Sequence, residues 1–286
     1  MSDILITGAQ GQVGRELADW APQYPDLRCQ WTDRSELDLT NADQIAQYFS
    51  EHQIDVVINC AAYTAVDKAE SEAALAERVN SQGVEFLAKA CQKHGAFLIQ
   101  LSTDYVYHNG CDRPLLETDP LNPQSVYART KQAGEEAALA ESQPAMVVRT
   151  SWVYSAYGNN FVKTMLRLGQ ERDALRVVYD QVGTPTYARD LARVLLDIVQ
   201  AGNYRQNPGI YNFSNEGVTS WYDFAHAIFA ERQLDCQLTP IRSAEYPTAA
   251  ARPPYSLLDK AHIKNTFQLT IPHWRDSLVH CLQRLP

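Results

Sequence analysis

Ser2-Asp3-Ile4-Leu5-Ile6-Thr7-Gly8-Ala9-Gln10-Gly11-Gln12-Val13-Gly14, running on into Arg15-Glu16-Leu17-Ala18-Asp19-Trp20, is the stretch that decides the fold. An apolar run reads as a short buried strand, three glycines as a turn, and the remainder as a helix. Glycine suits such a turn because it takes up backbone angles closed to other residues. It also lets a pyrophosphate approach the main chain, and it lets the helix pack close to the strand. The free N–H groups and positive dipole end of the new helix then face the phosphates. The spacing is Gly-x-x-Gly-x-x-Gly rather than the commoner Gly-x-Gly-x-x-Gly. Its place directly after a strand favours a dinucleotide site at Gly8, Gly11, Gln12, Val13 and Gly14 over a plain tight turn.

Composition sets the bounds. A chain of 286 residues can bury a large core, and 45% hydrophobic with 21% charged residues is ordinary for a globular protein. A net charge of -9 argues against nucleic acid as a partner, because phosphate contacts need clustered Lys and Arg. No apolar run of about eighteen residues occurs, which predicts no membrane span, and a cytoplasmic location is expected. The six cysteines are scattered without Cys-x-x-Cys spacing, so buried reduced thiols are expected rather than metal sites or disulfides.

Strands and helices alternate through residue 150, the pattern of a doubly wound parallel α/β sheet of Rossmann type. The second strand, Leu27 to Thr32, ends at Asp33-Arg34. An acid about 20 positions past the glycines suits the ribose hydroxyls of NAD, whereas an adjacent Arg suits the 2′-phosphate of NADP. Both NADH and NADPH are therefore expected to bind. Asp38, beside Leu39, either meets the adenine or caps a helix over about 42–52. The third strand, Ile54 to Asn59, ends in Cys60-Ala61-Ala62-Tyr63, small residues at the carboxyl edge where open parallel sheets bind ligands. A long helix over about 71–94 carries Asn80 among apolar neighbours. The fourth strand, Ala96 to Leu101, runs out into Ser102-Thr103-Asp104-Tyr105.

Tyr127 and Lys131 stand four apart at the start of the next helix and so share one face. A tyrosine, with an ordinary pKa of about 10, approaches the working range for acid-base catalysis when a cation stands one turn away. The Thr103 hydroxyl can then share the bond to a substrate carbonyl. Alone, Tyr-x-x-x-Lys is weak; after a glycine turn, a βαβ series and a strand ending Ser-Thr, it is specific. From residue 151 the alternation loosens. The expected division is a cofactor domain over 1–150, also taking in about 175–213, and a smaller substrate lobe drawn mainly from 151–286. Trp152 suits the core of this lobe equally well, and Arg252, beside prolines, reads first as a surface residue, with a substrate diphosphate as the other role its guanidinium suits.

With these residues in hand, the chain resembles the extended short-chain dehydrogenase/reductase family, and within it the branch that acts on dTDP-linked 4-keto sugars. The similarity rests on Gly11-Gln12-Val13-Gly14, Ala61 to Glu70, Ser102 to Val106, Tyr127 to Lys131, Arg149 to Tyr154, Gly158 to Phe161 and Ala251-Arg252-Pro253. It implies a catalytic group of Thr103, Tyr127 and Lys131, with Asn80 completing a proton relay. It implies NADPH or NADH held by the glycine turn, Asp33, Arg34, Asp38, Leu39, Ala61, Ala62, Tyr63, Tyr127 and Lys131. The dTDP-sugar would meet Thr103, Asp104, Trp152 and Arg252. Family members can form a homodimer through Mg2+, and Glu16 fits one such position. Two rivals stand beside this reading. One is a non-catalytic cofactor-binding subunit of the same fold, which turnover separates. The other is an epimerase or dehydratase on another nucleotide sugar, which would hold NAD⁺ tightly. The related dehydratases follow the strand-end Thr with Asp-Glu, whereas Thr103 is followed by Asp104 and Tyr105.

Overall fold

The apolar runs pair as expected. In the computed structural model, which describes residues 1–108 and 110–285, six parallel strands form one sheet: β1 (Ser2–Thr7), β2 (Leu27–Thr32), β3 (Val56–Asn59), β4 (Phe97–Thr103), β5 (Ala145–Thr150) and β6 (Gly209–Phe213). Their spatial order is β6-β5-β4-β3-β1-β2. Direction of travel reverses between β1 and β3, and a crevice opens at such a switch point beyond the carboxyl ends of the strands. Register sets those ends level: Thr7 lies opposite Asn59, Asn59 opposite Gln100, and Thr103 opposite Thr150.

Both sheet faces are covered, which is why the strands are apolar throughout rather than alternating. Ile4, Ile6, Val56 and Ile58 pack against Leu17 of helix α1 (Gln12–Trp20) and against Leu191, Leu195 and Ile198 of a helix over Ala188–Ala201. Leu5, Val57, Leu98 and Val147 meet Phe49 of α2 (Ala42–Glu51), Leu87 and Cys91 of α3 (Gly83–His94), and Ala138 of α4 (Val126–Glu141). Among the described residues no helix is long and apolar enough to cross a membrane.

Two expectations need correction. The helix expected over 71–94 is broken: short helices Val66–Ala69 and Ala73–Glu77 lead into a wide π turn at Arg78–Gln82, and only Gly83–His94 is regular. Such a turn marks a place where side chains compete for the helix ladder, and Asn80 lies within it. The stretch 175–213 also divides. The helix Ala188–Ala201 and β6 belong to the sheet's own core, but strand Ala174–Val178 pairs in parallel with Gln237–Ile241. That pair shares a separate core with the helices Phe161–Glu171, Trp221–Arg232 and Trp274–Gln283, centred on Val162, Leu175, Phe224 and Leu278.

Candidate active site

The glycine turn is built from close backbone approaches. Gly8 adopts φ +65, and a Cβ on it would stand 2.7 Å from the Ala61 backbone nitrogen. One on Gly14 would stand 2.5 Å from the Gly8 carbonyl. Any side chain at either position would push the turn from β3 or fill the cradle, so these residues fit a dinucleotide. Gly11 caps α1 without a side-chain bond, which leaves the helix N-terminus open to an anion. Gln12 is turned aside, its Oε1 accepting from Asn160 Nδ2 at 2.9 Å, and Val13 is buried. The cradle wall is held by a buried polar chain: Thr7 donates to Asn59 at 2.5 Å, and Asn59 donates to Gln100 at 2.6 Å.

At the end of β2, the half-buried Asp33 accepts from the Ser35 backbone and hydroxyl, both at 2.9 Å. Arg34 extends into solvent, with only a 3.4 Å contact from Nε to Asp38. Asp38 does not cap α2. Its Oδ1 accepts from the Thr40 backbone and hydroxyl, and Asn41 is the cap. Leu39 is buried beneath this turn.

Asn80 ties two parts of the site together. Its Oδ1 accepts from the Tyr63 backbone nitrogen at 2.8 Å, and its Nδ2 donates to the Tyr63 carbonyl at 3.1 Å and to Thr130 Oγ1 at 3.2 Å. The side chain is thus committed to joining the Ala61-Ala62-Tyr63 loop to α4. Gly134 permits the approach, since a Cβ there would lie 2.1 Å from the Asn80 carbonyl. Glu70 adds a second tie by accepting from the Val126 backbone at 2.8 Å.

Ser125 caps α4, accepting from the Ala128 backbone at 3.1 Å, and so sets Tyr127 in the first helical turn. The Thr103 hydroxyl at the end of β4 donates to Asp104 Oδ1 at 3.2 Å and lies next to the Tyr127 phenol. Burial pushes that phenol up to about 12, the neighbouring Thr103 hydroxyl pulls it down, and the Asp104 carboxylate adds to the rise. Lys131 Nζ donates to the Leu101 carbonyl at 2.7 Å. Burial draws the ammonium itself down to about 8, against the pull of Glu135. Asp104 is 2% exposed, and its Oδ2 is buried without a hydrogen-bond partner. Burial raises it to about 7, only partly opposed by the Ser256 and Thr103 hydroxyls.

Sequence reading missed the support beneath this group. Arg149 and Glu135, 2% and 3% exposed, form a two-pronged ion pair at 2.6–3.1 Å. Ser102 donates to the same carboxylate, and Arg149 Nη1 reaches the Tyr107 hydroxyl at 2.9 Å. The signal available was an Arg inside an otherwise apolar strand, which demands a buried partner.

Trp152 lies two residues past Thr150, the register partner of Thr103, with φ +48. A non-glycine residue there costs about 1–2 kcal/mol. Arg252 does not stand open to a phosphate: its guanidinium grips both Asp67 oxygens, at 2.7 and 3.0 Å. Glu16 does not fit a magnesium ligand in this chain. Its fully buried carboxylate accepts from Ser155, from Arg284 at 2.6 and 2.9 Å and from Arg189 at 3.3 Å, and a divalent cation would have to displace two guanidinium charges. Among the described residues no three His, Cys, Asp or Glu side chains group to hold a metal.

A doubly wound sheet, a glycine cradle at its switch point and Thr103, Tyr127 and Lys131 at one strand edge define the short-chain dehydrogenase/reductase class, whose cofactor is a nicotinamide dinucleotide. The whole chain, residues 1–286, matches the family described as RmlD substrate binding domain. It is 42% identical over 286 residues to a dTDP-4-dehydrorhamnose reductase of Aggregatibacter actinomycetemcomitans, covering 97% of each chain. It superposes on the crystal structure of a dTDP-4-dehydrorhamnose reductase from Clostridium acetobutylicum with a TM-score of 0.94 at 42% identity, covering 98% of each. The Bacillus anthracis dTDP-4-dehydrorhamnose reductase, solved in complex with NADP, gives 0.92 at 37% identity, covering 99% of each. This chain belongs to the RmlD family.

Proposed function

We propose that this chain reduces the C4 carbonyl of dTDP-4-dehydro-L-rhamnose to give dTDP-L-rhamnose, using NADPH or NADH. The observation that carries the reading is the edge where Thr103 ends β4 and Tyr127 opens α4, with the buried Tyr127 phenol next to the Thr103 hydroxyl and the Asp104 carboxyl. Gly8, Gly11 and Gly14, with the Ala61-Ala62-Tyr63 loop, hold the cofactor. Residues 1–150, with the helix Ala188–Ala201 and β6, serve as the cofactor domain, and the core around Val162 and Phe224 serves as the substrate lobe. When bound, the reduced nicotinamide supplies the hydride. Tyr127 gives its proton to the carbonyl oxygen as negative charge builds there, and Thr103 orients that oxygen. A phenol raised to about 12 remains protonated throughout the neutral range, as a donor must. Lys131 fixes the strand end through the Leu101 carbonyl and places a positive charge beside the cofactor. Such a biosynthetic step belongs in the cytoplasm, where nucleotide sugars and NADPH are supplied.

The reading is tested by NADPH oxidation with dTDP-4-dehydro-L-rhamnose. Substrate-dependent oxidation with release of dTDP-L-rhamnose supports it, and no turnover under saturating cofactor refutes it. A control with dTDP-glucose and NAD⁺ should give no 4-keto-6-deoxy product. Thr103 is followed by Asp104 and Tyr105, and burial and the Asp104 carboxylate hold the Tyr105 phenol well above its ordinary range, so elimination lacks its base.

Two further results are expected. Arg34→Ala should weaken NADPH by about tenfold and NADH by less than about twofold, because a guanidinium on the 2′-phosphate is a charge-assisted contact that NADH does not make. Equal weakening in fluorescence titrations would make Arg34 structural only. For Asp104, the sign follows from its raised pKa: near pH 6 the carboxyl is protonated and donates to a sugar oxygen, and near pH 8 it is ionised and cannot. KM for the sugar nucleotide should therefore rise about tenfold across that interval, one unit to each side of the midpoint of about 7. Asp104→Asn, which always donates, should flatten the rise; an unchanged slope would remove Asp104 from substrate recognition. The same shift makes this group's contribution to folding stability fall as pH rises from about 4 to 7, since the folded state binds the extra proton there.

A further inference from the structure

Trp152 is held in its left-handed conformation by a second indole. Its ring stacks on Trp221 with centroids 3.7 Å apart and an interplanar angle of 13°. Trp221, the first residue of the helix Trp221–Arg232, is braced by Phe161 at 4.6 Å, which in turn stacks on the buried Phe224. The helix is fixed at that end by Ser220, whose hydroxyl accepts from the Asp223 backbone at 3.0 Å. Trp221 is therefore a rigid platform anchored in the lobe core.

The same contacts locate the Trp152 ring at the active edge. A Cβ on Gly183 would stand 3.0 Å from Trp152 Cζ2 and 2.6 Å from Ser256 Oγ. The Ser256 hydroxyl faces Asp104. Trp152, Gly183, Ser256 and Asp104 thus form one wall next to Thr103, and the indole is a half-exposed part of it. A residue in a sparsely populated backbone region persists only where its surroundings over-determine it, and such residues cluster at ligand sites.

We propose that Trp221 is a positioning residue for the sugar: by stacking on Trp152 it holds that indole as a flat apolar surface against the hydrocarbon face of a 6-deoxyhexose. The inference rests on the nucleotide-sugar reading above and adds to it. The division of labour is that Asp104 and Thr103 meet polar groups of the hexose, and the indole pair meets its ring C–H and methyl groups. Because the stack touches neither the Gly8 cradle nor Tyr127, its loss acts on sugar affinity alone.

The experiment compares wild type, Trp221→Ala and Trp221→Phe. Near-ultraviolet circular dichroism reads the indole couple, calorimetry reads the affinities for dTDP-L-rhamnose, dTDP and NADPH, and steady-state rates read KM and kcat. For Trp221→Ala the expected result is loss of the couple and weakening of dTDP-L-rhamnose and KM on the order of tenfold, with dTDP, NADPH and kcat within about twofold. Trp221→Phe, which keeps an aromatic plane under Trp152, should recover most of the affinity. An active wild type with unchanged dTDP-L-rhamnose affinity in Trp221→Ala overturns the role, as does a loss spread equally over NADPH and dTDP. A wild type that neither binds dTDP-L-rhamnose nor turns over its 4-keto form removes the nucleotide-sugar reading, and the role of Trp221 with it.

Discussion

Replacing Tyr127 by Phe is expected to lower the single-turnover rate of carbonyl reduction by about 10²- to 10⁴-fold, the usual contribution of a positioned proton donor. The substitution removes one oxygen and leaves the ring, which meets Tyr105 edge-on with centroids 5.6 Å apart. Folding and cofactor affinity should therefore stay close to wild type. At pH 8, where the comparison is made, no other acid replaces it: Lys131 is committed to the Leu101 carbonyl, and Asp104, raised to about 7, is ionised. The Thr103 hydroxyl remains to orient the carbonyl but is a far weaker acid. A single-turnover rate within about threefold of wild type would mean that the proton comes from elsewhere, well outside the range for general acid catalysis.

The second large effect concerns the ion pair under the site. Arg149→Met should cost about 3–5 kcal/mol of folding stability, read from urea midpoints, because it leaves the Glu135 carboxylate buried without its cation. The apolar stem of Met fills much of the vacated volume, so the loss reports charge rather than a cavity. Removing both charges should restore most of the stability in Arg149→Met/Glu135→Leu, since two buried charges exchanged for apolar groups of similar size are close to neutral. Activity should not return with stability. Ser102 loses its acceptor on Glu135, and Ser102 precedes Thr103 on the strand that aims the catalytic hydroxyl. A cost below about 1 kcal/mol for Arg149→Met, the range of an exposed pair, would place the pair in solvent.

These two effects differ in how visible they were beforehand. Tyr127 and Lys131 announce themselves by a four-residue spacing, and the sheet by apolar runs between glycine and polar punctuation; both are local patterns that elementary periodicity decodes. The pairing of Arg149 with Glu135 joins a strand to a helix and has no local mark beyond a charge in an apolar run. Likewise, Glu16 meets Arg284 across 268 positions of chain, so its commitment inside one molecule could not be read from the N-terminal segment. Spacing sets Lys131 one turn from Tyr127, but the length of the side chain carries its Nζ to the Leu101 carbonyl on β4, and spacing does not fix where a flexible side chain ends. The break at Asn80 follows from the same cause. Its amide serves Tyr63 and Thr130, which are distant in sequence, and those bonds override a helical propensity that the run over 71–94 does possess.

Hydride delivery to C4 is measured most directly by isotope transfer. The protein is incubated with dTDP-4-dehydro-L-rhamnose and NADPH carrying deuterium at the transferable position of its nicotinamide. The expected product is dTDP-L-rhamnose with deuterium at C4 and nowhere else, formed in step with cofactor oxidation and lost in Tyr127→Phe. Product without label at C4, or label returned to the cofactor while the sugar emerges with an unreduced carbonyl, would contradict a net reductase.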